Sequence, residues 1–189
     1  MRFLLIVSLF AILATTNFAF ADKNNRDHVT VMPADTFPVP KVPNLLFYIQ
    51  RDPNTNTICY ELNVNDKGQL DEENPVHPFW IRYPEGGMRK ELNYLQRKFA
   101  YGIVVKKSGK DYYQLKSVAY AKTPLYLKRG TNNKYQVFMQ INQKQCVLTK
   151  IFVRIDGGTF WVPNVKYIEV TGTDPSTGKT VVERITKFS

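Results

Sequence analysis

Thiol and imidazole chemistry rests on very few side chains: Cys59 and Cys146, His28 and His77 are the only cysteines and histidines in the 189-residue chain. A thiol nucleophile needs a neighbouring base to hold it as thiolate, and Cys59 with His77 is the one pairing worth naming. A structural zinc site needs more ligands at close spacing than these four residues offer. The stretch Thr171–Thr180, TGTDPSTGKT, approaches a phosphate-binding loop but places five residues between its glycines instead of four. Its continuation, Thr180-Val181-Val182, is β-branched and strand-forming, not the helix whose N-terminus would face a phosphate. A hairpin turn explains the same letters. Asp52, Asn54 and Asn56 have the alternate spacing of a calcium loop, but the sixth position is Thr57 and the twelfth Asn63, so a polar turn is the expectation. Acidic residues cluster at Asp66, Asp71, Glu72 and Glu73 without a ligand register. There is no G-x-S-x-G elbow, and nothing in the sequence singles out two carboxylates as an acid–base pair. No catalytic residue, metal or cofactor is assigned, and a carboxylate-dependent hydrolase stands as the least favoured alternative.

Charge carries more information than any motif. Residues 101–150 hold ten basic side chains and one acid, Asp111. Lys106, Lys107, Lys110, Lys116, Lys128 and Arg129 lie there beside Tyr112 and Tyr113, and these eight form the candidate binding set. A tyrosine-bearing cationic sheet face suits an anionic partner, the rings adding contact area and hydroxyl donors. The competing reading is a solvated face, because lysine also protects strands from edge pairing and tyrosine is a good strand former. Such a face would bind nucleic acid without specificity.

Export decides among anionic partners. Met1-Arg2, the apolar run Phe3–Ala14 and the small-x-small ending Ala19-Phe20-Ala21 read as a secretory signal over residues 1–21. The apolar run is too short to span ~30 Å of hydrocarbon as a helix, and no later segment is long enough either. The expected location is therefore periplasmic or secreted, with no transmembrane segment after cleavage. Anionic envelope lipid or acidic glycan becomes the expected partner, with a protein partner as the alternative.

The elements that must position these residues follow from periodicity. Residues 22–44 form a leader with Pro33, Pro38, Pro40 and Pro43, expected to be extended. From residue 45 to 189 the pattern alternates with period two between turn-forming segments. Ten strands are expected: 45–50, 57–64, 78–83, 101–107, 112–119, 125–128, 134–141, 145–155, 165–171 and 180–186. Met88, Leu92, Leu95 and Phe99 recur at spacings of four, three and four, which predicts one amphipathic helix near residues 88–99 with its apolar stripe in the core. Ten short strands and one helix, without helical crossovers, predict a mainly β fold: a single antiparallel sandwich or barrel domain. Cys59 and Cys146 each fall on the less apolar face of a strand. They bridge if those strands are neighbours in an oxidising compartment, and otherwise remain two unpaired thiols.

Three stretches, Asn56–Asn63 (NTICYELN), Asn74–Tyr83 (NPVHPFWIRY) and Leu92–Gly102 (LNYLQRKFAYG), resemble an exported bacterial family catalogued as domain of unknown function 4833. The likeness extends over most of the chain beyond the leader. It implies export and a single-domain architecture, and it brings no activity with it.

Overall fold

The computed structural model describes residues 37–118, 123–158 and 163–187. The expected signal, residues 1–21, and most of the leader lie outside the described residues.

Eleven strands and one short helix make up the described chain. In order they are β1 (Leu45–Asp52), β2 (Thr57–Leu62), β3 (Val76–Arg82), β4 (Met88–Glu91), helix α1 (Tyr94–Gln96), β5 (Ile103–Gly109), β6 (Tyr112–Ser117), β7 (Leu125–Arg129), β8 (Tyr135–Ile141), β9 (Lys144–Gly158), β10 (Pro163–Thr173) and β11 (Thr180–Ile185). All ten expected strands are present within a few residues at their ends. The TGTDPSTGKT stretch is the β10–β11 hairpin, with Asp174 accepting from the Ser176 backbone N–H at 2.9 Å.

The strands form one mixed sheet ordered β4-β3-β2-β1-β9-β8-β7-β6-β5, from which β10 and β11 branch. The long strand β9 is the trunk. Val147 pairs with Phe138 of β8 and Thr173 of β10, while Lys150 pairs with Tyr48 of β1 and Thr171 of β10. A strand has two edges, so β8 and β1 share one edge of β9 and diverge along it, and β10 takes the other. The sheet therefore curls into half a barrel instead of forming the expected antiparallel sandwich or closed barrel. Two features rule those out: β1 runs parallel to β9, and β4, β5 and β11 each pair with one neighbour only.

Alternation sorts the side chains between the two faces. Ile58 and Tyr60 of β2, Trp80 of β3, Tyr113 and Leu115 of β6, Leu127 of β7 and Met139 of β8 enter one core inside the curl. Cys59, Phe79 and Ile81 point the other way and form a second cluster with Val42 and Tyr48. The end of the leader lies on this outer side: Phe37 is buried edge-on against Phe152, with ring centroids 5.3 Å apart. Close approach fixes one glycine. A Cβ at Gly172 would lie 2.6 Å from Ile141 Cδ1 and 2.7 Å from the Val147 carbonyl oxygen, so β10 can cross β8 and β9 here only without a side chain.

One expectation is corrected. The helix over 88–99 is instead strand β4 followed by a helix that starts after Asn93. Gly86 and Gly87, both at positive φ (75° and 76°), turn the chain back so that Met88–Glu91 pair with Arg82–Phe79. Asn93 then caps α1: its side chain accepts from the Gln96 N–H, and the Gln96 side-chain oxygen accepts in turn from the Asn93 N–H. A π-helical turn, Arg97–Tyr101, follows. Only Leu92 of the predicted apolar stripe is buried; Met88, Leu95 and Phe99 are exposed. Of the two alternatives left open for Cys59 and Cys146, the structure holds the unpaired thiols. Both thiols are free and buried, β1 stands between β2 and β9, and Cys146 lies in the core inside the curl while Cys59 lies in the outer cluster.

Candidate functional site

The candidate lysines and tyrosines divide between the two faces of β5–β7. On β5, Val105 packs inward, which turns Lys106 outward; Leu115 inward turns Lys116 outward; Leu127 inward turns Lys128 outward. The cross-strand register sets these side chains together: Val104 opposite Lys116, Lys106 opposite Gln114, and Tyr112 opposite Lys128. Tyr112 stacks on Tyr126 with centroids 5.8 Å apart, and Lys128 Nζ sits 4.4 Å from the Phe138 ring centroid. Lys106 and Lys116 form no ion pair among the described residues, whereas Lys110, in the β5–β6 turn, helps to lower the Asp111 pKa through its charge.

Three of the eight do not belong to that array. Tyr113 is fully buried in the core, because it alternates with Tyr112 on β6. Lys107 forms an ion pair with Glu72. Arg129 contacts Asp111 through Nε at 3.2 Å, and the Tyr135 hydroxyl donates to the other oxygen of the same carboxylate. The Tyr135 hydrogen bond, and then Arg129, hold the Asp111 carboxyl below its usual range; burial, and then that bond, push the Tyr135 phenol up to about 12. The one acid of the basic segment is thereby consumed away from Lys106, Lys116 and Lys128.

The inside of the curl holds a hollow of about 80 Å³. Its floor is fully buried and includes Phe47, Tyr60, Tyr101, Met139 and Val170. Its rim is half-buried and includes Ile103, Ser117, Thr123, Ile168 and Ile185. Ile103 belongs to β5 and Ile185 to β11, two strands with a free edge, so the hollow opens along the unclosed seam of the half-barrel. Among the described residues no carboxylate, lysine, arginine or histidine lines it, and these supply no acid–base pair.

A family model described as "Domain of unknown function (DUF4833)" matches residues 47–184. The chain belongs to this family. The matched span runs from β1 to β11 and so contains both the outward lysines and the hollow. No curated protein and no solved structure matches the chain.

Other chemistry-bearing groups in this DUF4833 chain are engaged structurally. Burial is the main cause that pushes the Cys59 thiol up to about 12, with Glu61 adding to it, so this thiol is not a poised nucleophile. His77 Nε2 lies 2.8 Å from Glu91 and Cys59 pairs with Phe79 across the strands, so the Cys59–His77 combination is not assembled. Asp52, first position of the calcium-like spacing, is almost fully buried and pairs with Arg154 Nη1 at 2.6 Å. Burial raises its pKa, Arg154 opposes this, and Asp156 adds to it. The hollow left no trace in residue spacing. The Asn93–Gln96 capping box was a readable signal for where the helix begins.

Proposed function

We propose that this chain is an exported, non-catalytic binding module of the bacterial envelope that holds an anionic surface against the outward side of β5–β7. The observation that supports the reading is that Lys106, Lys116 and Lys128 share the outward face of adjoining strands with the stacked pair Tyr112 and Tyr126, while the acid Asp111 pairs with Arg129 and Tyr135. Three cations on adjacent strands attract a multivalent anion more strongly than separated ones, and stacked rings add a rigid contact area beside them. Anionic lipid headgroups and acidic glycans share this chemistry. Retention on phosphatidylglycerol vesicles and on a sulfated polysaccharide separates the two sources. The triple variant Lys106→Glu, Lys116→Glu, Lys128→Glu should lose retention, whereas Lys107→Glu should lose little because Glu72 already neutralises that lysine. Unchanged retention of the triple variant on both matrices would end the proposal.

A second reading, interaction with a protein partner, draws on a different surface. Tyr94, Leu95 and Phe99 are 68%, 53% and 41% exposed on the short helical segment, with Lys98 Nζ 5.3 Å from both the Tyr94 and Phe99 rings. A fixed partner that co-purifies through high salt, and is lost in Leu95→Ser with Phe99→Ser, would favour this reading over electrostatic binding.

A further inference from the structure

From the hollow in the curl we infer a second binding site, one that takes the end of a single uncharged aliphatic chain. The inference goes beyond the proposed function, because the hollow lies on the inner face and the lysine array on the outer one.

The chemistry of the lining selects the ligand. Ile49, Ile151, Val153, Val170, Leu125 and Met139 present branched or flexible aliphatic groups. Among the described residues no ionic side chain lines the hollow, so a charged ligand group would lose its hydration there without a counter-charge from them. An apolar cavity that encloses benzene measures about 150 Å³, and this one measures about 80 Å³. A chain entering end-on fits that space where an enclosed aromatic ring does not. Access is graded in the same direction. The floor is buried, whereas the rim at Ile103, Ile168 and Ile185 is half-buried and lies along the unclosed seam between β5 and β11. Of the four hydroxyl-bearing residues of the lining, Tyr60 and Tyr101 are in the buried floor, whereas Ser117 and Thr123 are at half-buried positions. The latter two stand where the polar end of an inserted amphiphile would emerge. Such a ligand binds by apolar burial in the hollow and by hydroxyl contacts at its mouth.

The test uses the full chain with isoleucine methyl groups labelled for NMR, titrated with decanol, decanoate and dihexanoyl phosphatidylcholine below its micelle concentration. Decanol and decanoate represent free amphiphiles, and the phospholipid represents a membrane source of the same chain chemistry. The expected result is saturable shifts concentrated at Ile103, Ile151, Ile168 and Ile185, with at least one of the three probes. Val170→Phe, which fills the floor, should weaken binding at least tenfold. Ile185→Trp at the rim provides the same test if the floor variant does not fold. The Lys106, Lys116 and Lys128 reversals should leave decanol binding unchanged, so failure here and failure of the anionic-surface reading are told apart. No saturable methyl shift with any probe, or equal affinity in a folded filled variant, would overturn the inference.

Discussion

Val170→Ile is a direct probe of the hollow. Val170 lies on β10, is 3% exposed and forms part of the floor. In a filled core an added methylene forces neighbours off their rotamers and costs about 1–3 kcal/mol. Here the added carbon enters empty space. One buried methylene contributes about 0.8 kcal/mol, and the hollow of about 80 Å³ has room for it. The expected outcome is a gain of about 1 kcal/mol in urea unfolding with an unchanged denaturant slope. For a domain of this size it corresponds to about 2–4 °C in Tm. Gly172→Ala, two residues along the same strand, supplies the opposite sign. Its Cβ would meet Ile141 Cδ1 at 2.6 Å and the Val147 carbonyl oxygen at 2.7 Å, so a loss of about 1–3 kcal/mol is expected. Urea titrations of both variants against the parent measure the contrast. A Val170→Ile variant destabilised by 1 kcal/mol or more would show that the space beside it is not free, and the reasoning from the hollow would fail.

Two further outcomes concern the buried polar groups. Arg154→Met strips Asp52 of its partner and leaves a carboxylate with a 3% exposed side chain near Asp156; a loss of about 3 kcal/mol at neutral pH is expected, largely recovered in Asp52→Asn with Arg154→Met. The Asp52 pKa is raised in the fold, so its contribution to stability is fully present below the unfolded value and is lost as pH rises through the folded one. Without Arg154 that loss should extend to higher pH; urea midpoints that are the same function of pH in both proteins would contradict it. Thiol titration should give two reactive groups in the unreduced, unfolded protein and none in the native protein at neutral pH, since Cys59 and Cys146 are both free and fully buried. A single disulfide released only by reductant would refute the strand placement.

The strands were legible because each carries its own alternation: Ile58, Tyr60 and Leu62 against Cys59 and Glu61 state the period without reference to the rest of the fold. Strand β4 was not legible. Met-Arg-Lys-Glu carries no inward row, and all four residues are exposed, so it is a strand only because β3 offers a free edge and Gly86-Gly87 turn the chain onto it. The apolar spacing from Met88 to Phe99 matched a helical stripe by coincidence of a strand, a buried Leu92 and a short capped helix. Pairing order is a property of distant segments, so the parallel contact of β1 with β9 had no local signature. The same absence separated Cys59 from Cys146. The lysine set was half legible. Its concentration in consecutive hairpins placed the residues close together, and alternation within β6 sent Tyr113 inward while Tyr112 and Lys116 went outward. The partners of Lys107 and Arg129 depended on where Glu72 and Asp111 arrived. A hollow is defined by what fails to fill it, which no single residue announces.

The proposed hold of the outward β5–β7 lysines on an anionic surface is electrostatic. Its most direct measurement is the affinity of the full chain for phosphatidylglycerol vesicles as ionic strength rises from about 10 mM to 150 mM, over which the screening length falls from ~30 Å to ~8 Å. Affinity should fall steeply with salt in the parent protein, and the Lys106, Lys116, Lys128 triple reversal should show weak, salt-insensitive binding. Equal affinity and equal salt dependence in the two proteins would contradict it.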